Sequence, residues 1–173
     1  MKLTRRFLLG APFLLGACQM LPPLPEEPVV PVSLDTAFAT RAGGSGVFMR
    51  KHVWTEERFT LAQRGHRQRD RLVVDQVFSF EGGLRNRLTW TFTREEPGLW
   101  RGDRDDLITP ARVVESRGMV WFSYQADFRR AEGVTRWGFE EVLYRRADGA
   151  LVIDGVLSEN GTPKVNERIV LRA

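Results

Sequence analysis

Apolar and polar residues alternate along most of the chain after residue 57. The longest run has an apolar or amide side chain at every second position: Leu72, Val74, Gln76, Phe78 and Phe80. Shorter runs place Phe59, Leu61 and Gln63, and then Leu88, Trp90 and Phe92, on one face. Alternation with a period of two predicts β-strands with one buried face. Further strands are predicted at residues 98–103, 109–116, 118–128, 134–145, 150–158 and 164–172.

Turn-forming residues separate these segments. The pairs Asp148-Gly149 and Asn160-Gly161 are the strongest hairpin signals, because they tolerate the positive φ that tight hairpins need. About eight to ten strands joined by short turns predict an all-β antiparallel meander, which buries one face and protects its edges by closing into a barrel. The strand faces rich in Arg and Asp lack the apolar outer band of a membrane barrel, so we expect a water-soluble one.

A short helical turn is predicted before the strands, at residues 34–42. Ser33 or Asp35 would cap its start, and Gly43-Gly44 would end it. In a barrel such a turn often lies across one mouth.

The chain begins with the pattern of an exported lipoprotein. Basic residues lead into the run FLLGAPFLLGAC, which is about half the length of a membrane-spanning helix and ends at Cys18. We predict a cleaved signal peptide at residues 1–17, a lipidated Cys18 followed by a proline-rich tether at 18–33, and a barrel domain at 34–173. Multiple acyl chains, palmitate among them, would hold the protein on the membrane. Gln19 favours the periplasmic face of the outer membrane over the inner membrane.

Two alternatives to this interpretation stay open. The motif around Arg5-Arg6 also resembles a twin-arginine export signal, so the export route is undetermined. Cys18 would otherwise be a buried or redox thiol, but it is the one cysteine of the chain and stands at the end of the signal.

The charge of the chain gives no argument for a nucleic-acid partner. The formal net charge is +4, and removing Lys2, Arg5 and Arg6 with the signal lowers it to +1. The basic character therefore belongs mostly to the signal, and nucleic acid is not an expected partner. Protein partners are not indicated by the sequence. About 140 residues remain for the domain, which suits one hydrophobic core.

Scattered motifs resemble a known family. They are the run Leu88–Thr93, the segment Trp100-Arg101-Gly102 followed by Asp105-Asp106, Phe122, Tyr124 and Asp127 after Gly118, Phe139-Glu140-Glu141 with Tyr144, Ser158 with Gly161, and Val165, Glu167 and Arg172. Over residues 34–173 the chain is similar to the domain of unknown function 3833. The resemblance implies a small envelope lipoprotein with a lipocalin-like barrel, and it implies no catalytic residue.

Motifs for metal or nucleophilic chemistry are weak. His52 and His66 lie on separate predicted segments beside basic residues, and we expect both to face solvent. No Gly-x-Ser-x-Gly motif is present. No cofactor, metal site or catalytic residue is therefore predicted.

Aromatic residues are the candidates for lining a ligand cavity. Five of them share predicted inward strand faces: Trp90, Phe92, Phe122, Tyr124 and Phe128. Neighbouring residues of a strand point to opposite faces, so one of Glu140 and Glu141 is predicted to face inward. Arg87 or Arg136 would be its partner. A satisfied internal ion pair is the simpler interpretation of such an acid, and likewise of Asp127 and Asp154.

A basic tract is placed near a hairpin tip around Gly65. Arg64, Arg67, Arg69 and Arg71 would contact anionic head groups there, with a solvated loop as the simpler alternative.

Together these patterns favour a non-enzymatic envelope lipoprotein whose barrel binds or carries a lipid or another apolar small molecule. The alternatives are a structural or assembly lipoprotein with a packed, ligand-free barrel, and an enzyme acting on envelope lipids.

Overall fold

The structure, a computed structural model, describes residues 21–26, 29–39, 41–53, 55–130 and 133–173. Cys18 and the signal segment lie outside the described residues. One helix and eleven strands are formed by the described part of the chain: α1 (Leu34–Phe38), β1 (Val29–Val30), β2 (Arg41–Arg50), β3 (Glu56–Gln68), β4 (Arg71–Phe80), β5 (Arg85–Glu96), β6 (Leu99–Asp103), β7 (Ala111–Ser116), β8 (Met119–Arg130), β9 (Gly133–Arg146), β10 (Leu151–Glu159) and β11 (Thr162–Arg172).

The strands β2 to β11 form a closed antiparallel barrel. Each pairs with the next along the chain, and β11 pairs with β2 from Val165–Arg50 to Arg172–Gly43. The predicted all-β barrel is therefore confirmed, while a lipocalin relationship stays a prediction. Closure leaves none of these ten strands with a free edge along its whole length.

The predicted hairpin turns occur where expected. Gly149 has φ 84°, and the pair Asn160-Gly161 has φ 48° and 78°. Positive φ at both central residues matches the twist of a two-residue hairpin. The turns at 69–70, 97–98, 117–118 and 147–149 lie at one end of the barrel, called here the helix end. The connections at 81–84, 104–110 and 160–161 lie at the other end, called the far end.

The helix begins as predicted and ends earlier. Ser33 caps α1 in a reciprocal capping box with Thr36. The prediction that Gly43-Gly44 ends the helix was wrong, because both glycines lie inside β2 and the helix stops at Phe38. A Cβ on Gly44 would lie 1.8 Å from the Val170 carbonyl oxygen. Gly44 therefore allows β2 and β11 to pack closely instead of stopping a helix.

Helix α1 packs on the helix end of the barrel. Leu34, Ala37 and Phe38 are buried there, and the Phe38 ring lies 6.1 Å from Phe92. A Cβ on Gly65 would lie 1.5 Å from the Phe38 carbonyl oxygen. Gly65 thus provides the space that seats the helix against β3.

The segment before the helix lies against the barrel. Val29 and Val30 pair with the end of β9, and the Val32 amide donates to the Gly118 carbonyl at 3.0 Å. Residues 29–33 of the predicted tether are therefore part of the folded surface. No helix among the described residues has the length and hydropathy of a membrane span.

Candidate functional site

The barrel interior holds a cavity of about 140 Å³. Its apolar lining consists mainly of aromatic rings contributed by the helix and by strands around the barrel: Phe38, Phe48, Phe78, Phe80, Trp90, Phe92, Phe122, Tyr124, Phe128 and Phe139. The volume is less than half of the roughly 300 Å³ at which small-molecule pockets begin, and it resembles the roughly 150 Å³ cavity that binds benzene. The cavity therefore suits one small apolar group.

All five aromatic residues predicted to face inward line this cavity. Trp90 stacks on Phe92 with 5.2 Å between ring centroids, and Tyr124 meets Trp90 edge to face at the same distance. Phe128 lies near the far end and is 37% exposed. Their contact with a ligand stays a prediction.

A buried arginine reaches the cavity from the connection between β6 and β7. The Leu107 amide donates to the Arg104 carbonyl, and Leu107 forms a bridge with Ala126 that holds this connection along β8. The Arg104 side chain is 6% exposed, and its Nε and Nη2 both donate to the Asp106 carboxylate. Its Cζ lies 4.4 Å from the Trp90 ring centroid and 5.2 Å from that of Tyr124.

Two glutamates meet across a glycine on the cavity wall. Glu141 of β9 and Glu167 of β11 are both register partners of Gly155 on β10. A Cβ on Gly155 would lie 3.0 Å from Glu167 Oε2 and 3.1 Å from Glu141 Cγ. Because Gly155 has no side chain, the two carboxyl groups approach and hydrogen bond to each other. The Tyr124 hydroxyl donates to Glu141 Oε1 at 2.7 Å. We call Glu141 and Glu167 the carboxyl pair.

Burial shifts the protonation of the carboxyl pair and of Tyr124. It raises the pKa of Glu167 well above the usual glutamate value, and the negative charge of Glu141 raises it further. Burial also raises the pKa of Glu141, against the hydrogen bond from Tyr124 and the charge of Arg104. Burial and mutual repulsion therefore favour a shared proton between the two carboxyl groups over two carboxylates. Burial likewise raises the pKa of Tyr124, which stays a neutral donor.

The predicted polar partners need correction. Glu141 is the inward member of its pair of acids, while Glu140 accepts a hydrogen bond from the Ser123 hydroxyl. Arg87 is exposed and does not face the interior, because it alternates with the inward Leu88. Arg136 pairs with Asp127 and is not the inward cation either.

Asp154, by contrast, forms the expected satisfied ion pair. It is 5% exposed and accepts two hydrogen bonds from Arg168, at 2.7 and 2.9 Å.

The basic tract also lies elsewhere than predicted. Gly65 pairs with Val74 inside β3, so the hairpin tip is at Arg69-Asp70 and not around Gly65. The four arginines of the tract are exposed: Arg64, Arg67, Arg69 and Arg71. Asp35 of the helix binds Arg67, and also Arg94 at 2.8 Å. At least one arginine of the tract therefore contributes to seating the helix, and head-group contact stays a prediction.

The described residues include no group of three or more acids, histidines or cysteines that could hold a metal ion. His52 and His66 are exposed, as expected.

Sequence reasoning missed Arg104 and the role of Glu167. Glu167 interrupts the inward apolar series Val165, Ile169 and Leu171. This interruption could have been used to predict an inward-facing acid on the last strand. Gly155 within an apolar strand was a second signal, because such glycines mark a close approach. Arg104 lies in an irregular connection, where alternation gives no information.

A family model described as "Protein of unknown function (DUF3833)" matches residues 13–167. The chain belongs to this family. The match spans the cavity, the carboxyl pair and nearly all of the barrel, so the family resemblance in the scattered motifs is confirmed. Comparisons with curated proteins and with solved structures found no match.

Proposed function

We propose that this member of the family is a lipid-anchored lipoprotein of the bacterial envelope whose barrel binds the apolar part of a small molecule or lipid. One observation carries the ligand-binding part of the proposal: an aromatic-lined cavity with buried polar groups in its wall. Pockets that bind small molecules combine these two features, since apolar surface supplies affinity and a few polar groups fix orientation. The volume of about 140 Å³ admits one small group or the end of a chain.

Ligand binding is tested by native mass spectrometry of the full-length chain purified in mild detergent. We expect saturable uptake of short alkyl probes. Ile153→Phe, which adds bulk to a residue lining the cavity, should abolish this uptake. Val134→Phe is the matched control, because Val134 is 59% exposed on β9. A clean apo mass with no saturable uptake would instead support the packed, ligand-free barrel.

The anchor and the location are proposed from the sequence of residues 1–19. Cys18→Ser should leave an uncleaved precursor that does not incorporate palmitate. Normal maturation and labelling of that variant would refute the lipoprotein proposal without affecting the proposal about the cavity. Fractionation of the wild-type protein tests the outer-membrane location.

Acid–base chemistry on a bound lipid is a second candidate function. The convergence of the carboxyl pair and Tyr124 on one cavity favours it, because shared protons and shifted pKa values are common in active sites. This candidate predicts turnover of envelope lipid that Glu141→Gln and Glu167→Gln each abolish. Binding without turnover would leave the barrel as a binding protein.

A further inference from the structure

The charge of the cavity indicates which kind of molecule it takes. Among the described residues lining the cavity, Arg104 is the one cation, and Asp106, Glu141 and Glu167 are the acids. Arg104 and Asp106 neutralise each other through two hydrogen bonds. Glu141 and Glu167 have no further cation among the described cavity residues, and two carboxyl groups that share one proton keep one negative charge in an aromatic interior. An unbalanced buried charge is costly, and a cation placed beside it relieves that cost.

Arg104 is poorly placed to receive an anion. Asp106 occupies both its Nε and its Nη2, and the guanidinium lies over the faces of Trp90 and Tyr124. The carboxylate of a fatty acid would have to displace Asp106, and it would then stand in the same cavity as the carboxyl pair. Both steps disfavour anionic ligands.

The residues flanking the carboxyl pair suit a cation. Register pairs run across five neighbouring strands in the order Phe122, Glu141, Gly155, Glu167 and Phe48. Both rings and both acids line the cavity. Carboxylates beside aromatic rings are the combination that recognises organic ammonium groups, because the ring face and the acid are both negative.

The barrel interior also contains a buried polar side chain without a hydrogen-bond partner. Gln63 is 4% exposed, and neither its Oε1 nor its Nε2 has a hydrogen-bond partner among the described residues. Its register partner Gln76 lines the cavity. Buried amides without partners are rare in native proteins and mark places that ordered water enters, so polar contacts next to Gln76 are not confined to the carboxyl pair.

We propose that the carboxyl pair, flanked by Phe48 and Phe122, binds the ammonium group of a cationic apolar molecule. The ligand of the barrel is then an amine or quaternary ammonium compound, and not a fatty acid. This inference rests on the proposed ligand-binding function and names the class of ligand.

The test compares three short ligands that differ only in the head group: butyltrimethylammonium, 1-butanol and butanoate. Full-length protein in a non-ionic maltoside detergent, which carries no ammonium group, is titrated with each, and ligand-observed NMR gives the Kd. We expect the ammonium compound to bind at least about tenfold more tightly than butanoate, with butanol between them. The double variant Glu141→Gln/Glu167→Gln should weaken ammonium binding about tenfold and leave butanol within about twofold, because it removes both carboxyl groups of the pair.

Glu95→Gln is the matched control, because Glu95 is exposed on the same barrel, and it should leave all three affinities unchanged. Thermal unfolding of each variant checks that it is folded. Butanoate binding as tightly as the ammonium compound, or ammonium preference surviving in the folded double variant, would overturn the inference while leaving the binding function intact. Absence of binding by all three ligands would overturn both.

Discussion

Two tyrosine–carboxylate–arginine groups lie on opposite sides of the same barrel wall. The outer group joins Tyr144, Asp154 and Arg168, and the Tyr144 hydroxyl donates to Asp154 Oδ2 at 2.9 Å. The inner group joins Tyr124 and the carboxyl pair, with Arg104 close by. Both contain the same kinds of hydrogen bond. Their difference lies in charge balance and in what surrounds them.

The outer group is balanced. One carboxylate meets one guanidinium, and the hydrogen bond to Asp154 raises the pKa of Arg168 further. Arg168 keeps a side chain that is 56% exposed, so its charge is also hydrated. Such a group links the three strands β9, β10 and β11, and it leaves no unbalanced charge that a ligand could neutralise.

The inner group is unbalanced. Its arginine is neutralised by Asp106, so two further carboxyl groups share the interior with no cation of their own among the described cavity residues. Proteins rarely keep such an arrangement for stability alone, because an apolar core of equal volume would serve as well or better. We therefore interpret the outer group as a structural cross-link, and we propose the inner group as the one suited to binding.

The largest expected effect is on the outer group. Asp154→Ala should lower the free energy of unfolding by about 2 kcal/mol, because it leaves a buried tyrosine hydroxyl without its acceptor and Arg168 without its partner. Urea denaturation measures the change. Asp103→Ala is the control, since its ion pair with Arg101 is exposed on both sides and should contribute less than about 0.5 kcal/mol. Equal losses in the two variants would contradict the structural role given to the outer group.

A smaller loss is expected from Gly155→Ala. The new methyl group would crowd both members of the carboxyl pair, which should cost about 1–2 kcal/mol. Gly138→Ala is the matched control on β9, because a Cβ there meets no atom within 4 Å. Calorimetric unfolding of the two variants should separate them. A Gly155→Ala protein as stable as Gly138→Ala would show that the glycine is not needed for the approach of the two acids.

The smallest effect is a pH dependence. Because the folded-state pKa values of the carboxyl pair are raised, the unfolded chain loses these protons first as pH rises. Wild-type stability should therefore fall relative to Glu167→Gln as the pH rises from the ordinary glutamate value of 4.5. Below that pH the two proteins should differ by a constant amount. Parallel stability curves between pH 4 and 8 would rule out a raised pKa.

The strands from residue 59 onward were predictable because each buries one face and exposes the other. Strand β2 was not, since its glycines lack alternation. A Cβ on Gly46 would lie 2.3 Å from the Phe59 ring. The need for a glycine at position 46 arises only when β2 and β3 are paired. Residues whose choice depends on close approach of distant segments carry no local pattern.

The candidate site was predictable only where its residues lie on strands with regular alternation. The inward rings followed from alternation, and so did the presence of one inward acid at residues 140–141. The partner of that acid did not, because Arg104 reaches the interior from an irregular connection. Arg87 was proposed as that partner, but it lies on a regular strand and faces outward. The meeting of Glu141 with Glu167 depends on the order of β9, β10 and β11, which only the closed barrel defines.

The most direct measurement is a ¹³C NMR titration of the glutamate carboxyl groups, with Glu167→Gln to assign the signals. Free protein should show one carboxyl whose pKa lies well above the usual range, and saturating butyltrimethylammonium should lower that value. Glutamates that all titrate normally, or a raised pKa that the ammonium compound leaves unchanged, would contradict the buried negative charge and the cation site built on it.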